Sequence, residues 1–143
     1  NLPTTRQDHT DENLTAKGGY ILSDALKDPQ VVLISNGSEI EIAAAAQEQL
    51  ENEGIATRLV SMPCMELFAQ QDAAYQKEVL GSKTMVRIGV EAAVRQGWDR
   101  WLGINGDFIG MDSFGESAPY KELYEHFGIT PQAVVDAAKK KLG

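Results

Sequence analysis

Residues 31–39 read Val31-Val32-Leu33-Ile34-Ser35-Asn36-Gly37-Ser38-Glu39. A continuous apolar run closed by turn residues fits a strand buried on both faces, because neither side of it carries the polar alternation of a half-exposed strand. Residues 39–52 follow, rich in Glu, Ala, Ile and Gln, and predict a helix that stops at Gly54. Working outward, the strand–turn–helix unit recurs. Residues 56–61 form a second main strand ended by Pro63, and residues 72–80 a helix closing at Gly81. Residues 85–90 form a third strand, residues 91–102 a helix with Gly97 as its weak point, and residues 107–110 a short fourth strand. A helix over Pro119–Phe127 has proline in its first turn, and Thr130-Pro131 caps and opens a last helix reaching Leu142. Upstream, Gly18 and Gly19 lead into a short strand, Tyr20-Ile21-Leu22, and Asp28-Pro29 marks a turn.

Strands alternating with helices require crossovers, hence a mostly parallel sheet of about five strands with helices on both faces, an α/β fold. Residues 1–17 read as an extended, polar and aperiodic lead-in or interdomain linker, which leaves residues 18–143 as one domain. The chain begins Asn1-Leu2-Pro3 without a methionine, as a domain taken from a longer protein would.

Charge and composition narrow the function. There are 13 basic and 21 acidic residues, a formal charge of −8. Such a surface repels phosphate backbones unless its cations cluster, so nucleic acid is not an expected partner. The one basic run, Lys139-Lys140-Lys141, suits a helix C-terminus. No apolar run approaches the roughly 20 residues that a membrane span needs, so no membrane is expected either. Cys64 is the only cysteine, which rules out an internal disulfide and suits a reducing compartment.

Several stretches resemble sites, and each has a structural reading beside the functional one. Gly37, Ser38 and Glu39 lie where a strand ends and a helix begins, the place where such sheets bind ligands and where helix N–H groups attract anions. The single glycine there is neither a G-x-G-x-x-G nor a P-loop. Structurally, Ser38 is the helix N-cap and Glu39 complements the dipole. Gly106-Asp107-Phe108 suggests half of a metal–diphosphate motif, or simply a turn into a strand. Glu122, Glu125 and His126 have ligand-like spacing, but a metalloprotease helix needs two histidines in a fixed pattern. Asp8-His9-Thr10-Asp11-Glu12 suits a weak cation site or a solvated tail. Cys64 reads as a reactive thiol only with a cationic neighbour or a helix N-terminus, and otherwise as a small buried or half-buried residue; Trp98 and Trp101 read as aromatic packing or a stacking platform. In Phe114-Gly115-Glu116-Ser117-Ala118-Pro119 the serine lacks a G-x-S-x-G frame. Gly115, Ser117 and Pro119 account for themselves as a turn, an N-cap and a first helical residue.

Taken in order, KGGYIL at 17–22, SNGSEIEIA at 35–43, GIATRLVSMP at 54–63, GVEAA at 89–93, GINGDFIGMDSFGESAP at 103–119 and HFGIT at 126–130 resemble the C-terminal domain of transketolase. The resemblance covers essentially the whole chain, and the 103–119 block is its most specific part. Dihydroxyacetone synthase shares this domain type. The resemblance implies a three-layer helix–sheet–helix fold whose short first strand is antiparallel. It implies a parent enzyme of the pentose phosphate pathway that moves a two-carbon ketol unit between sugar phosphates. That parent would use thiamine diphosphate with magnesium or calcium, in the cytoplasm, as a homodimer. The family's active site lies between its first two domains, so no catalytic, cofactor or metal residue is carried onto this chain. The expected role is structural, with the upstream domains and the dimer mate as partners. A regulatory small-ligand or anion site at Gly37, Ser38 and Glu39 is the alternative.

Overall fold

A computed structural model describes residues 14–82, 85–94, 98–103, 106–111 and 129–143. The expected helix over 119–127, the Glu122, Glu125 and His126 set, the Gly115–Pro119 turn and the acidic run at 8–12 lie outside the described residues. So does the stretch 1–13 of the lead-in.

Five strands form one sheet: β1 (Tyr20–Ser23), β2 (Val31–Ser35), β3 (Thr57–Ser61), β4 (Val86–Val94) and β5 (Asp107–Met111). Their spatial order is β1-β3-β2-β4-β5. β1 runs antiparallel to β3, and the other neighbours are parallel. β2 therefore sits at the centre, and all five of its residues are buried.

Its side chains alternate between two cores, as the period of two in a strand requires. Val31 and Leu33 join Leu59, Ile88 and Val90 beneath α1 (Ile40–Asn52) and the C-terminal helix (Pro131–Leu142). Val32 and Ile34 join Val60, Phe68, Val79, Trp98 and Leu102 on the opposite face. That second face is covered by α2 (Met65–Ala69), α3 (Ala73–Leu80) and α4 (Asp99–Leu102). The C-terminal helix is α5. The result is three layers, as the alternation of elements and the resemblance both imply. Truncating a fully buried leucine such as Leu33 to alanine is worth about 2–5 kcal/mol in a core of this kind.

Local chemistry sets most boundaries. Asp72 caps α3 by accepting from the Tyr75 amide at 2.7 Å, and Thr130 caps α5 by accepting from the Ala133 amide at 3.1 Å. Gly18 has φ +83°, and a Cβ there would lie 2.3 Å from both the Cys64 carbonyl oxygen and the Phe68 nitrogen. Only glycine lets the chain pass α2 this closely.

Two expectations are corrected. Residues 91–102 do not form one helix: β4 continues to Val94, and α4 is confined to Asp99–Leu102. Alanine favours a helix by only tenths of a kcal/mol per residue, ~0.5 against valine, and pairing along β5 outweighs it. That pairing resumes at Val94 opposite Met111 after a register shift beyond Val90. Leu14–Lys17, expected to run extended, is a turn of 3-10 helix. The Lys17 ammonium lies 4.6 Å from the centroid of the Tyr75 ring, a cation–π distance.

Candidate functional site

The carboxyl ends of β2 and β4 lie side by side, with Ser35 opposite Val90. The fully buried Ser35 hydroxyl donates to the Val90 carbonyl at 2.7 Å, which adds a side-chain bond to the ladder where the strands end. Asn36 is extended, Gly37–Glu39 is a single 3-10 turn, and α1 follows directly. Ser38 therefore lies inside the turn instead of capping a helix. The cap positions are Asn36 for the turn and Glu39 for α1, and neither uses its side chain as a cap. The expectation for Ser38 fails because the three-residue turn Gly37–Glu39 precedes α1 and moves its cap position to Glu39.

Glu39 is buried, at 8% exposure. Glu91, half-buried on β4, answers to it. Burial pushes the Glu91 carboxyl above its usual range, the Glu39 charge pushes in the same direction, and a hydrogen bond with the Trp98 side chain opposes both. Glu39 at this junction thus lies within electrostatic reach of Glu91. A further anion arriving there would meet their repulsion. Among the described residues no group of three or more His, Cys, Asp or Glu side chains is placed to hold a metal ion.

The remaining sequence candidates take structural places. The Asp107 carboxylate accepts from the Phe108 amide at 2.8 Å, and Phe108 packs on Trp98 with ring centroids 5.3 Å apart. Cys64 is a half-buried free thiol just before α2, and its amide donates to the Gly18 carbonyl. Trp98 and Trp101 are both core residues. Trp98 lies against Gly89, where a Cβ would come within 2.7 Å of the indole, so the strand is bare at that point to admit the ring. Trp101 packs edge-on against Phe68, with centroids 5.1 Å apart.

At the opposite end of the sheet the structure holds a group that the sequence reading passed over. Arg87, the second residue of β4, is 5% exposed. Its Nε donates to the Leu80 carbonyl at 3.1 Å, one Nη to the Trp101 carbonyl at 2.8 Å, and the other Nη to the Gly81 and Ser82 carbonyls at 2.7 and 2.9 Å. Arg58 on β3 donates to the Glu78 and Val79 carbonyls at 2.8 and 3.1 Å, and its Nε meets Asp24 at 2.9 Å. Two strand arginines thus satisfy the carbonyls that α3 leaves open at its negative end. Burial lowers the Arg87 pKa from its ordinary value. The available signal was an arginine amid the apolar residues of Met85-Val86-Arg87-Ile88, in a strand predicted to be buried. Beside this clamp lies a cleft of about 460 Å³, walled by α3, by Gly81 and Ser82, and by Arg100 and Trp101 of α4.

Comparison with known proteins places this geometry. A family model described as a transketolase-like C-terminal domain matches residues 18–130. The chain is 54% identical to a transketolase from Cereibacter sphaeroides over 99% of its own length and 21% of the relative's. It is 45% identical to transketolase 1 of Escherichia coli K12 over 96% of its length and 21% of that protein's. Among solved structures, transketolase from Leishmania mexicana superposes with a TM-score of 0.79 at 36% identity, over 88% of this chain and 18% of that one. Transketolase from Campylobacter jejuni superposes with a TM-score of 0.74 at 33% identity. The chain spans about a fifth of the length of the curated relatives it matches.

Proposed function

From a chain that belongs to the transketolase family through its C-terminal domain, we propose a non-catalytic domain whose role is assembly within a larger enzyme. The parent would transfer a two-carbon ketol unit between sugar phosphates, in the cytoplasm and as a homodimer. This domain would pack against the upstream domains and the dimer mate. The observation that carries the reading is one of proportion: nearly all of this chain corresponds to only 21% of the relative.

Thiamine diphosphate supplies the carbanion sink in such a reaction, and a protein supplies position and electrostatics around it. The described ends of this sheet do not fit that cofactor. Glu39 and Glu91 at the carboxyl end oppose a diphosphate. Among the described residues that line the amino-end cleft there is no carboxylate to hold its divalent metal. No catalytic step is therefore assigned to this chain. The test is a ketol-transfer assay on the 143-residue chain with thiamine diphosphate and magnesium, beside calorimetry of the same mixture. Neither turnover nor cofactor-binding heat is expected. Turnover by the chain alone would refute the reading.

A further inference from the structure

The lining of the amino-end cleft runs against the charge of the whole molecule. The chain has 21 acidic and 13 basic residues, yet among the described residues this wall holds Lys77, Arg87 and Arg100 and no carboxylate. Each cation is placed differently. Arg87 is buried, and all of its hydrogen bonds go to neutral carbonyls, so its charge has no carboxylate partner among the described residues. Arg100 is exposed, and its guanidinium carbon lies 4.3 Å from the centroid of the Trp101 ring, a stacking distance that holds it on the lining. Lys77 is exposed on the last turns of α3.

The rest of the wall is apolar or weakly polar. Ala73, Leu80 and the Trp101 ring supply contact surface, and the buried Trp101 Nε1–H has no acceptor among the described residues. The volume of about 460 Å³ falls in the range of small-molecule sites, about 300–1,000 Å³.

We propose that this cleft binds a small phosphate monoester, with the phosphate between Arg100 and Lys77 in front of Arg87 and a planar or apolar body against Trp101. A phosphate monoester carries close to two negative charges at neutral pH, which suits three convergent cations better than a carboxylate does. Arginine and lysine both serve as phosphate binders, arginine by a planar fork and lysine as a point charge. The site lies at the opposite end of the sheet from Gly37, Ser38 and Glu39. It stands on the charge and shape of the cleft alone, independently of the assembly role.

Phenyl phosphate is the probe, titrated into the 143-residue chain by calorimetry and by tryptophan fluorescence. The expected result is saturable binding at one site per chain, weaker binding of benzoate, and none of neutral phenol. Arg100→Gln removes one charge-assisted contact and is expected to weaken binding about tenfold. Lys77→Gln is expected to weaken it less, and Lys139→Gln, whose lysine pairs with Glu53 far along the chain, not at all. Arg100 and Lys77 are exposed, so circular dichroism of their variants should match the parent. Absence of saturable binding would overturn the proposal. So would benzoate binding as tightly as phenyl phosphate, or an equal loss of affinity in the Lys139→Gln and Arg100→Gln variants.

Discussion

At the amino end of β4 a buried arginine meets four carbonyl oxygens, while at the carboxyl end a half-buried glutamate feels the charge of a second, buried glutamate. Both ends bury charge, and the environments differ in what relieves it. Carbonyl dipoles at the end of α3 are a fixed source of negative potential, so Arg87 keeps its charge and becomes a structural clamp. At Glu91 burial and the Glu39 charge both push the carboxyl above its usual range, and the hydrogen bond with the Trp98 side chain only opposes them. A buried ion is stabilising where its surroundings are complementary and preorganised, and becomes a titrating group where they are not.

The largest effect is expected from Arg87→Met. It leaves the Leu80, Gly81, Ser82 and Trp101 carbonyls without their donor and loosens α3 and α4 from β4 together. A loss of about 3 kcal/mol is expected from urea unfolding. A loss below about 1 kcal/mol would mean that water replaces the guanidinium freely and that the clamp is not structural.

Ser35→Ala probes the carboxyl end without touching its charges. It deletes the bond to the Val90 carbonyl and is expected to cost about 1 kcal/mol, read as a shift in the unfolding midpoint at unchanged slope.

Glu91→Gln gives the smallest effect and the one with a pH signature. A carboxyl whose folded pKa is raised binds its proton more tightly folded than unfolded, so its ionisation lowers stability as pH rises through the folded value. The variant is expected to be slightly more stable than the parent at neutral pH, with the gap closing as pH falls below the ordinary carboxyl range. Paired thermal melts across pH check this, and a gap that widens on acidification would contradict a Glu91 carboxyl raised by burial and by the Glu39 charge.

How far the sequence carries differs between elements. β2 was legible from Val31–Ile34 because a run buried on both faces needs no partner to be recognised. The end of α1 near Gly54, the closing of α3 at Gly81 and the Thr130 cap of α5 were legible because caps and stops are local chemistry. α2 was missed because a five-residue helix is too short to show a period. The extension of β4 to Val94 was missed because Glu-Ala-Ala-Val reads as helix until β5 lies beside it. The strand–turn–helix junction at Gly37, Ser38 and Glu39 was found in its place, and its chemistry was not, because Glu91 reaches it only through the pairing of β2 with β4.

By itself the sequence determined the α/β alternation, the central buried strand and the family resemblance, all of which rest on residues near one another in the chain or on motif order. Tertiary structure alone decided the order of the strands, the clamp on α3, the influence of Glu39 on Glu91 and the basic cleft. Each of these depends on the potential that one segment feels from another brought next to it in space, and the linear spacing of residues does not record that quantity.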